Sequence, residues 1–252
     1  MLRTIRQAAQ NVFLKFGYRI DRLQPDQSSQ FPPDFDEATI RLCKYVQPFT
    51  MTSKERICAL RKAVEYIVDH NIPGDIVECG VWRGGSMMAV ARTLLERGMG
   101  NRTLYLCDTF DGMAEPTDVD VNYRGKAARE RWDKEEKWAY SSLGEVGRNM
   151  RDTGYDGDKV VFVKGKVEDT LPERASERIS LLRLDTDWYE STYHELRHLY
   201  PRVSVGGVLI IDDYGFWAGA RKAVDQYIKE WNRGLLLDRI DSTGRICVKL
   251  KP

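Results

Sequence analysis

Residues 179–187 read ISLLRLDTD and residues 208–213 read VLIIDD, and both runs end in acidic residues. Runs rich in leucine and β-branched residues are typical of buried parallel strands, whose carboxyl ends form the ligand-binding edge of an open α/β sheet. The four acids expected at this edge are Asp185, Asp187, Asp212 and Asp213. Clustered carboxylates repel each other unless protons or a cation compensate them, and an all-oxygen set suits a hard cation such as Mg²⁺. The alternative is that each acid only caps the loop or helix that follows it.

The composition narrows the class of protein. A chain of 252 residues is long enough for one large α/β domain with a substantial core. Its 39 basic and 38 acidic residues provide no electrostatic attraction for a nucleic acid. The five cysteines are an odd number, and Cys79 and Cys107 fall inside apolar runs, which indicates reduced thiols. No apolar run reaches the roughly 20 residues that span a bilayer, so we expect a cytoplasmic protein with no membrane or nucleic-acid partner.

Apolar runs and helical patterns alternate through the centre of the chain. The predicted strands are 76–79, 103–107, 160–163, 179–184 and 208–211, with helices at 87–96, 142–150 and 220–231. This alternation predicts a parallel sheet with right-handed crossovers. Two short apolar runs at 235–240 and 245–250 flank a glycine-containing turn and predict a closing antiparallel hairpin. Five parallel strands followed by such a hairpin are the outline of the class I methyltransferase sheet, a Rossmann-like α/β fold.

Two segments stand apart from the alternating core. Residues 1–50 are predicted to be an N-terminal helical extension, with the class I domain at 51–252. Apolar residues recur at helical spacing between Ile5 and Phe16, which favours packing on the same domain or in a homo-oligomer over a membrane-surface or targeting role. Residues 109–158 exceed an ordinary crossover and follow a strand at its carboxyl end, which predicts a lid over the acceptor site.

The stretch VECGVWRGGS at residues 77–86 joins the first strand to its helix. Small residues here allow a close approach of the backbone to a ligand, and the start of the helix offers free amides. These small residues are Gly80, Gly84, Gly85 and Ser86. The spacing is not GxGxxG, which disfavours a nicotinamide oxidoreductase. Glu78 suits a ligand that carries an amino group, and Asp108 stands where such folds bind ribose hydroxyls, so together they favour S-adenosylmethionine.

A second motif points to different chemistry. HELRH at residues 194–198 matches the H-E-x-x-H signature of zinc metallopeptidases, with His194 and His198 on one helical face. The helix is expected to end at Tyr200-Pro201, and no later histidine follows to complete a three-ligand site. We therefore interpret the pair as a feature of a solvated helix face, with the peptidase as a distant alternative.

Four motifs resemble the macrocin O-methyltransferase family, whose members methylate sugar hydroxyls of macrolide and aminocoumarin antibiotics. They are VECGVWRGGS at 77–86, CDTFDGM at 107–113, LDTDWYEST at 184–192 and GGVLIIDDYG at 206–215. The resemblance runs from about residue 50 to the C-terminus and includes GARKAVD at 219–225. It implies an S-adenosylmethionine-dependent, Mg²⁺-dependent O-methyltransferase that acts on a sugar hydroxyl of a glycosylated acceptor.

The resemblance also implies roles for individual residues. Asp185, Asp212 and Asp213 would bind the metal, and Asp187 would be the general base. Asp108 would hold the cofactor ribose, while Glu78 and the loop from Gly80 to Ser86 would hold its amino-acid end. One point conflicts with strand geometry, because adjacent residues on a regular strand point to opposite faces. Asp212 and Asp213 can share a metal only if the chain bends after the strand.

Other functions remain open from the residues alone. A catechol-type metal-dependent methyltransferase uses the same strand-end carboxylates on an aromatic acceptor, and Trp132, Trp138 and Trp188 suit an aromatic ring or a sugar face equally well. A non-catalytic S-adenosylmethionine-binding scaffold is disfavoured, because keeping several unneutralised carboxylates in one cleft costs stability.

Overall fold

The computed structural model describes residues 31–135, 137–231 and 234–252, and one mixed sheet forms the centre of this part of the chain. Its strands are β1 (Asp75–Cys79), β2 (Leu104–Asp108), β3 (Val160–Lys164), β4 (Ile179–Leu184), β5 (Val203–Ile211), β6 (Asp238–Arg239) and β7 (Arg245–Val248). The order is β3-β2-β1-β4-β5-β7-β6, with β1 to β5 parallel and β7 antiparallel to both β5 and β6. The predicted sheet and closing hairpin are confirmed, although β6 is shorter than the predicted 235–240 run.

Helices cover both faces of the sheet. They are α1 (Glu37–Val46), α2 (Lys54–Asp69), α3 (Gly85–Glu96), α4 (Arg129–Trp132), α5 (Leu143–Asp152), α6 (Val167–Thr170), α7 (Tyr189–Leu199) and α8 (Ala218–Glu230). Helices α7 and α8 pack on each other and on the face that carries Val77, Cys79 and Leu182. Helices α2 and α3 pack together on the other side.

The strand order creates a crevice at the carboxyl edge of the sheet. The chain passes from β1 outward to β2 and β3, then returns to β4 on the other side of β1. Loops after β1 and β4 therefore diverge, and ligands bind at this kind of switch point in open α/β sheets. The last residues of β1, β2, β4 and β5 are Cys79, Asp108, Leu184 and Ile211, so the predicted site residues lie at or shortly after strand ends that meet at this crevice.

The first described helix belongs with the sheet. Contacts group residues 36–252 into one compact unit, so α1 lies in the same unit as the sheet and packs on α3. The division at residue 51 stays a prediction. The apolar pattern between Ile5 and Phe16 lies outside the described residues. Among the described helices, none combines the length and apolarity needed to cross a membrane.

Candidate active site

A cleft of about 290 Å³ lies at the carboxyl edge of the sheet, beneath the segment that links β2 to β3. It brings together side chains and backbone from four strand ends and the linking segment. Its lining includes Gly80, Trp82, Gly85, Ser86, Asp108, Trp138, Asp185, Asp187, Asp212, Asp213 and Trp217. A smaller pocket of about 60 Å³ shares Gly80, Asp108 and Asp185 with the cleft and extends toward α6. The two cavities form a site with room for more than one ligand group.

Three carboxylates meet in the cleft. One oxygen from each of Asp185, Asp187 and Asp213 lies within 4.8 Å of the other two. Desolvation raises the pKa of Asp187 to about 7, and neighbouring carboxylates add to the effect. Desolvation also raises the pKa of Asp185 and Asp213 well above the ordinary range. The cluster therefore holds protons at neutral pH until a cation displaces them.

Backbone geometry directs Asp187 into the cluster. Its φ of 69° is in the left-handed region, which a non-glycine residue seldom adopts and which asparagine and aspartate tolerate best. Asp187 lies in the short connection between β4, which ends at Leu184, and α7, which begins at Tyr189. Its left-handed conformation differs from that of a strand or helix residue, and its carboxylate lies beside those of Asp185 and Asp213.

Asp212 lies apart from the three-carboxylate cluster. Its Oδ1 accepts a hydrogen bond of 2.5 Å from Arg183 Nη2, and its Oδ2 accepts one from Arg56. Asp212 is buried and lines the same cleft as Asp213, but it is Asp213 that brings a carboxylate oxygen close to Asp185 and Asp187. The structure thus brings Asp185 and Asp213 together with Asp187, whereas Asp212 forms ion pairs with Arg56 and Arg183.

Arg183 is a site residue that the sequence reasoning missed. It lies directly opposite Glu78 on the neighbouring strand, and its Nη1 donates to Glu78 Oε1 at 2.5 Å and to Asp185 Oδ2 at 2.7 Å. Together with the bond to Asp212, one buried guanidinium serves three carboxylates. The sequence does contain a sign of this role, since Arg183 is a charged residue inside the apolar run LLRL at 181–184. An arginine in a buried strand needs carboxylate partners.

Glu78 remains only partly satisfied by this arginine. It is buried, and its Oε2 has no hydrogen-bond partner. Desolvation raises the pKa of Glu78 to about 7, against the opposing effect of Arg183. A buried carboxyl oxygen without a partner is costly, and Glu78 lies behind the cleft, outside the lining of both cavities.

The glycine loop serves the chain's own packing as well as the cleft. A Cβ on Gly80, where φ is +82°, would overlap the Asp185 carbonyl, and one on Gly85 would lie 2.5 Å from the Phe49 carbonyl oxygen. Helix α3 begins after Gly84 without a side-chain cap, so no N-cap side chain satisfies its first amides. Its first two residues, Gly85 and Ser86, line the cleft. Gly80 and Gly85 are thus required for close backbone packing, in addition to any ligand approach.

Asp108 organises the same loop. Its Oδ2 accepts hydrogen bonds from the amides of Val81 at 2.6 Å and Trp82 at 3.1 Å. Its Oδ1 accepts one from the Phe110 amide at 2.7 Å. Each carboxylate oxygen can accept more than one hydrogen bond, so these contacts leave capacity for hydroxyl donors in the cleft.

Tryptophans form part of the cleft wall. Trp138, Trp188 and Trp217 pack edge to face or tilted, with ring centroids 5.0 to 6.1 Å apart. Trp138 and Trp217 line the cleft, and the Arg131 guanidinium lies 4.2 Å from the centroid of the Trp138 ring. Trp132 does not line it. The cleft thus has aromatic side chains in its wall, next to the carboxylates.

The His194 and His198 pair lies outside this cluster. His194 Nε2 is 3.0 Å from the Leu171 carbonyl oxygen, and Glu195 between them is buried and bound to Thr186. In the described part of the chain, the possible metal-binding group is Asp185, Asp187 and Asp213. The geometry provides no support for a zinc peptidase site.

Comparison with known proteins agrees with this architecture. The family model described as Macrocin-O-methyltransferase (TylF) matches residues 20–249. The chain is 36% identical over 197 residues to demethyldecarbamoylnovobiocin O-methyltransferase of Streptomyces niveus, covering 77% of this chain and 73% of that protein. It is also 36% identical over 195 residues to 8-demethyl-8-(2,3-dimethoxy-alpha-L-rhamnosyl)-tetracenomycin-C 4'-O-methyltransferase of Streptomyces olivaceus, with 77% and 73% covered.

A solved structure matches at a similar level. The O-methyltransferase NovP aligns with a TM-score of 0.72 and 34% sequence identity, over 81% of this chain and 83% of that chain. The residues that the family model matches include the whole sheet from β1 to β7. The chain therefore belongs to the macrocin-O-methyltransferase family and is an O-methyltransferase.

Proposed function

We propose that this enzyme transfers a methyl group from S-adenosylmethionine to a sugar hydroxyl of a glycosylated natural product, with Mg²⁺ held by the acidic cluster. The observation that carries the proposal is the convergence of Asp185, Asp187 and Asp213 at the carboxyl edge of a methyltransferase sheet. The name of the Streptomyces olivaceus relative, which includes a rhamnosyl group, supports a glycosylated acceptor from antibiotic biosynthesis.

The cofactor proposal rests on groups that suit each part of S-adenosylmethionine. The uncapped start of α3 offers amides to a carboxylate, and the unpartnered Glu78 Oε2 suits an ammonium group. Asp108 has acceptor capacity for ribose hydroxyls. We infer that the amino-acid end lies along the loop from Gly80 to Ser86.

The metal proposal rests on carboxylates that the protein itself does not neutralise. Among the described residues, no lysine or arginine forms an ion pair with Asp187 or Asp213, whereas Asp185 and Asp212 contact Arg183. Asp213 Oδ2 is buried without a hydrogen-bond partner. A hard divalent cation would satisfy this oxygen and lower the repulsion within the cluster. We propose Asp185 and Asp213 as ligands and Asp212 as an anchor for the two arginines.

In the proposed mechanism, the protein aligns an acceptor hydroxyl with the methyl carbon and removes its proton. Bound Mg²⁺ would act as a Lewis acid that lowers the pKa of that hydroxyl. Asp187 would accept the proton, since it lies in the cluster beside the two proposed ligands. Trp138 and Trp217 would exclude water and position the acceptor ring.

Calorimetric titration tests the cofactor assignment. We expect wild-type protein to bind S-adenosylmethionine with a micromolar Kd, and Asp108→Ala to weaken binding by roughly 10-fold or more, because it removes a ribose acceptor and two bonds to the glycine loop. Asp111→Ala is the matched control, because Asp111 is an exposed acid three residues further on. A folded wild type that binds no S-adenosylmethionine would overturn the assignment.

Thermal unfolding at two pH values tests the metal site. The raised pKa of Asp187, about 7, means that protons occupy the cluster below this pH and compete with a metal. In the metal-free protein this raised pKa favours the folded state at low pH, and that contribution is lost as pH rises through 7. We therefore expect Mg²⁺ to raise the Tm at pH 8 by at least about 2 °C more than at pH 6. An equal shift at both pH values, or none, would count against the metal site.

An aromatic acceptor is the second candidate, favoured by the tryptophan wall. Trp138 and Trp217 would stack on a catechol ring as readily as on a sugar face. Parallel assays with a catechol and with a rhamnosylated polyketide, both with Mg²⁺, distinguish the two. Methyl transfer to the catechol alone would reject the sugar acceptor.

We also propose that the enzyme is a cytoplasmic homo-oligomer. The apolar spacing between Ile5 and Phe16 motivates the oligomer, and the balanced charge and apolar runs of the sequence motivate the compartment. Light scattering of the full-length protein gives the mass, and a monomer would refute the oligomer.

Fluorescence microscopy of a tagged copy in the native host gives the compartment, and signal at the cell envelope would refute a cytoplasmic location.

A further inference from the structure

Asp120 is a fully buried carboxylate in the segment that links β2 to β3, and the proposed chemistry does not use it. Its Oδ2 accepts hydrogen bonds from the amide and the hydroxyl of Thr117, at 2.7 and 2.8 Å. Its Oδ1 accepts a bond of 2.9 Å from the amide of Tyr189, the first residue of α7. A buried charge is retained at low cost only when such donors satisfy it, so the position is structurally specified.

Two helix N-termini converge on this carboxylate. Neither α7 nor α8 has a hydrogen bond from its own N-cap side chain, since each is preceded by a tryptophan. Asp120 caps α7 from a distant part of the chain, and a Cβ on Gly219, in the first turn of α8, would overlap Asp120 Oδ1. The positive ends of two helix dipoles thus face one negative group.

The two helices follow the two loops that carry the carboxylates. Tyr189 comes two residues after Asp187, and α8 begins five residues after Asp213. The same segment is bonded to both loops, because the Ala114 carbonyl accepts from Trp188 Nε1 and the Val121 carbonyl accepts from the Ala218 amide, each at 2.8 Å. Asp120 therefore lies between the two loops.

We propose that Asp120 is a positioning residue that fixes the spacing between the Asp187 loop and the Asp213 loop, and through it the affinity of the metal site. The metal consequence rests on the proposed function, whereas the helix-bridging contact does not. The side chain touches neither cleft carboxylate, so its effect passes through the backbone of α7 and α8.

A metal titration separates this role from a general loss of structure. With S-adenosylhomocysteine bound, Asp120→Ala should weaken Mn²⁺ binding by at least about 10-fold, while the Kd for S-adenosylhomocysteine stays within about twofold. Asp120→Asn should give an intermediate value, since its single carbonyl oxygen still accepts from Tyr189. Asp118→Ala, an exposed acid in the same segment, is the matched control and should leave both affinities unchanged. Equal weakening of both ligands would reject a positioning role.

A double-mutant cycle tests the contact without any ligand. Gly219→Ala should lower the Tm by roughly 5 °C in wild type, because the new methyl group collides with Asp120. In the Asp120→Ala background the loss should fall to about 2 °C or less, because the close contact that remains is with the Tyr189 amide nitrogen, at 3.1 Å. Trypsin should also cleave after the exposed Arg124 and Lys126 at least about 10-fold faster in Asp120→Ala than in wild type. Additive Tm changes together with unaltered cleavage would refute the bridge.

The two experiments fail in different ways. If wild-type protein binds no Mn²⁺, the proposed metal dependence is wrong, and the Tm cycle and trypsin cleavage still decide whether Asp120 bridges the helices. If Mn²⁺ binds and Asp120→Ala leaves its affinity unchanged, the positioning role is wrong and the metal site stands.

Discussion

Replacing Asp187 with asparagine is expected to lower kcat by about 10²–10⁴-fold, the usual contribution of a general base, while S-adenosylmethionine affinity stays within about twofold. Asparagine has the same shape and tolerates the left-handed φ of 69°, so the loop should keep its conformation. The loss then reports on proton acceptance alone. Steady-state kinetics with a rhamnosylated acceptor, together with calorimetry, measure both quantities.

Asp187→Ala provides the comparison for that substitution. Alanine tolerates the left-handed conformation less well, so this variant should also lose about 1–2 kcal/mol of unfolding free energy, whereas Asp187→Asn should not lose stability. Turnover at the wild-type rate in Asp187→Asn would remove Asp187 from the mechanism.

Arg183→Met is expected to have the largest effect on stability, a loss of about 3–5 kcal/mol in the free energy of unfolding. The arginine is buried and serves Glu78, Asp185 and Asp212, and methionine would leave these carboxylates without their cation. Urea denaturation measures the change. Arg178→Met is the matched control, because Arg178 is exposed and should change stability by less than about 0.5 kcal/mol.

The pH dependence of this loss identifies its cause. At pH 5 the orphaned carboxyls can bind protons, because burial already raises the pKa of Glu78 to about 7. The Arg183→Met penalty should therefore be smaller at pH 5 than at pH 8. A penalty below about 1 kcal/mol at pH 8 would show that the arginine does not compensate the buried acids.

Patterns that repeat along the chain were predictable from the sequence. The runs at 179–184 and 208–211 became β4 and part of β5, and the final apolar runs became an antiparallel hairpin. The same pattern indicated which strand ends carry acids, because hydrophobic runs mark buried strands regardless of their partners. These features depend on local spacing, which a sequence displays directly.

Features that depend on the pairing of distant segments were not predictable. The direction of Asp212 follows from a bond to Arg56 on α2 and another to Arg183 on β4, so two remote arginines decide it. Gly80 is required by a close approach of the Asp185 carbonyl from another strand, which no local motif encodes.

Arg183 divides the acidic residues at the sheet edge into those that it contacts and those that it does not. Arg183 neutralises the carboxylates on its own side of the sheet, and Asp187 and Asp213 remain without a basic partner in the described part of the chain. In the proposed metal site, a divalent cation would compensate the acids that Arg183 does not contact. This division explains why two adjacent aspartates at one strand end have different partners.

A titration of Mn²⁺ followed by electron paramagnetic resonance, with S-adenosylhomocysteine present, tests the proposed metal site most directly. The wild type should bind one ion, Asp213→Asn should bind it at least about 10-fold more weakly, and Asp212→Asn should stay within about threefold of wild type. The matched pair differs by one position in the sequence and by every partner in the structure. Loss of binding in Asp212→Asn with full binding in Asp213→Asn would contradict the assignment of Asp185 and Asp213 as the metal ligands.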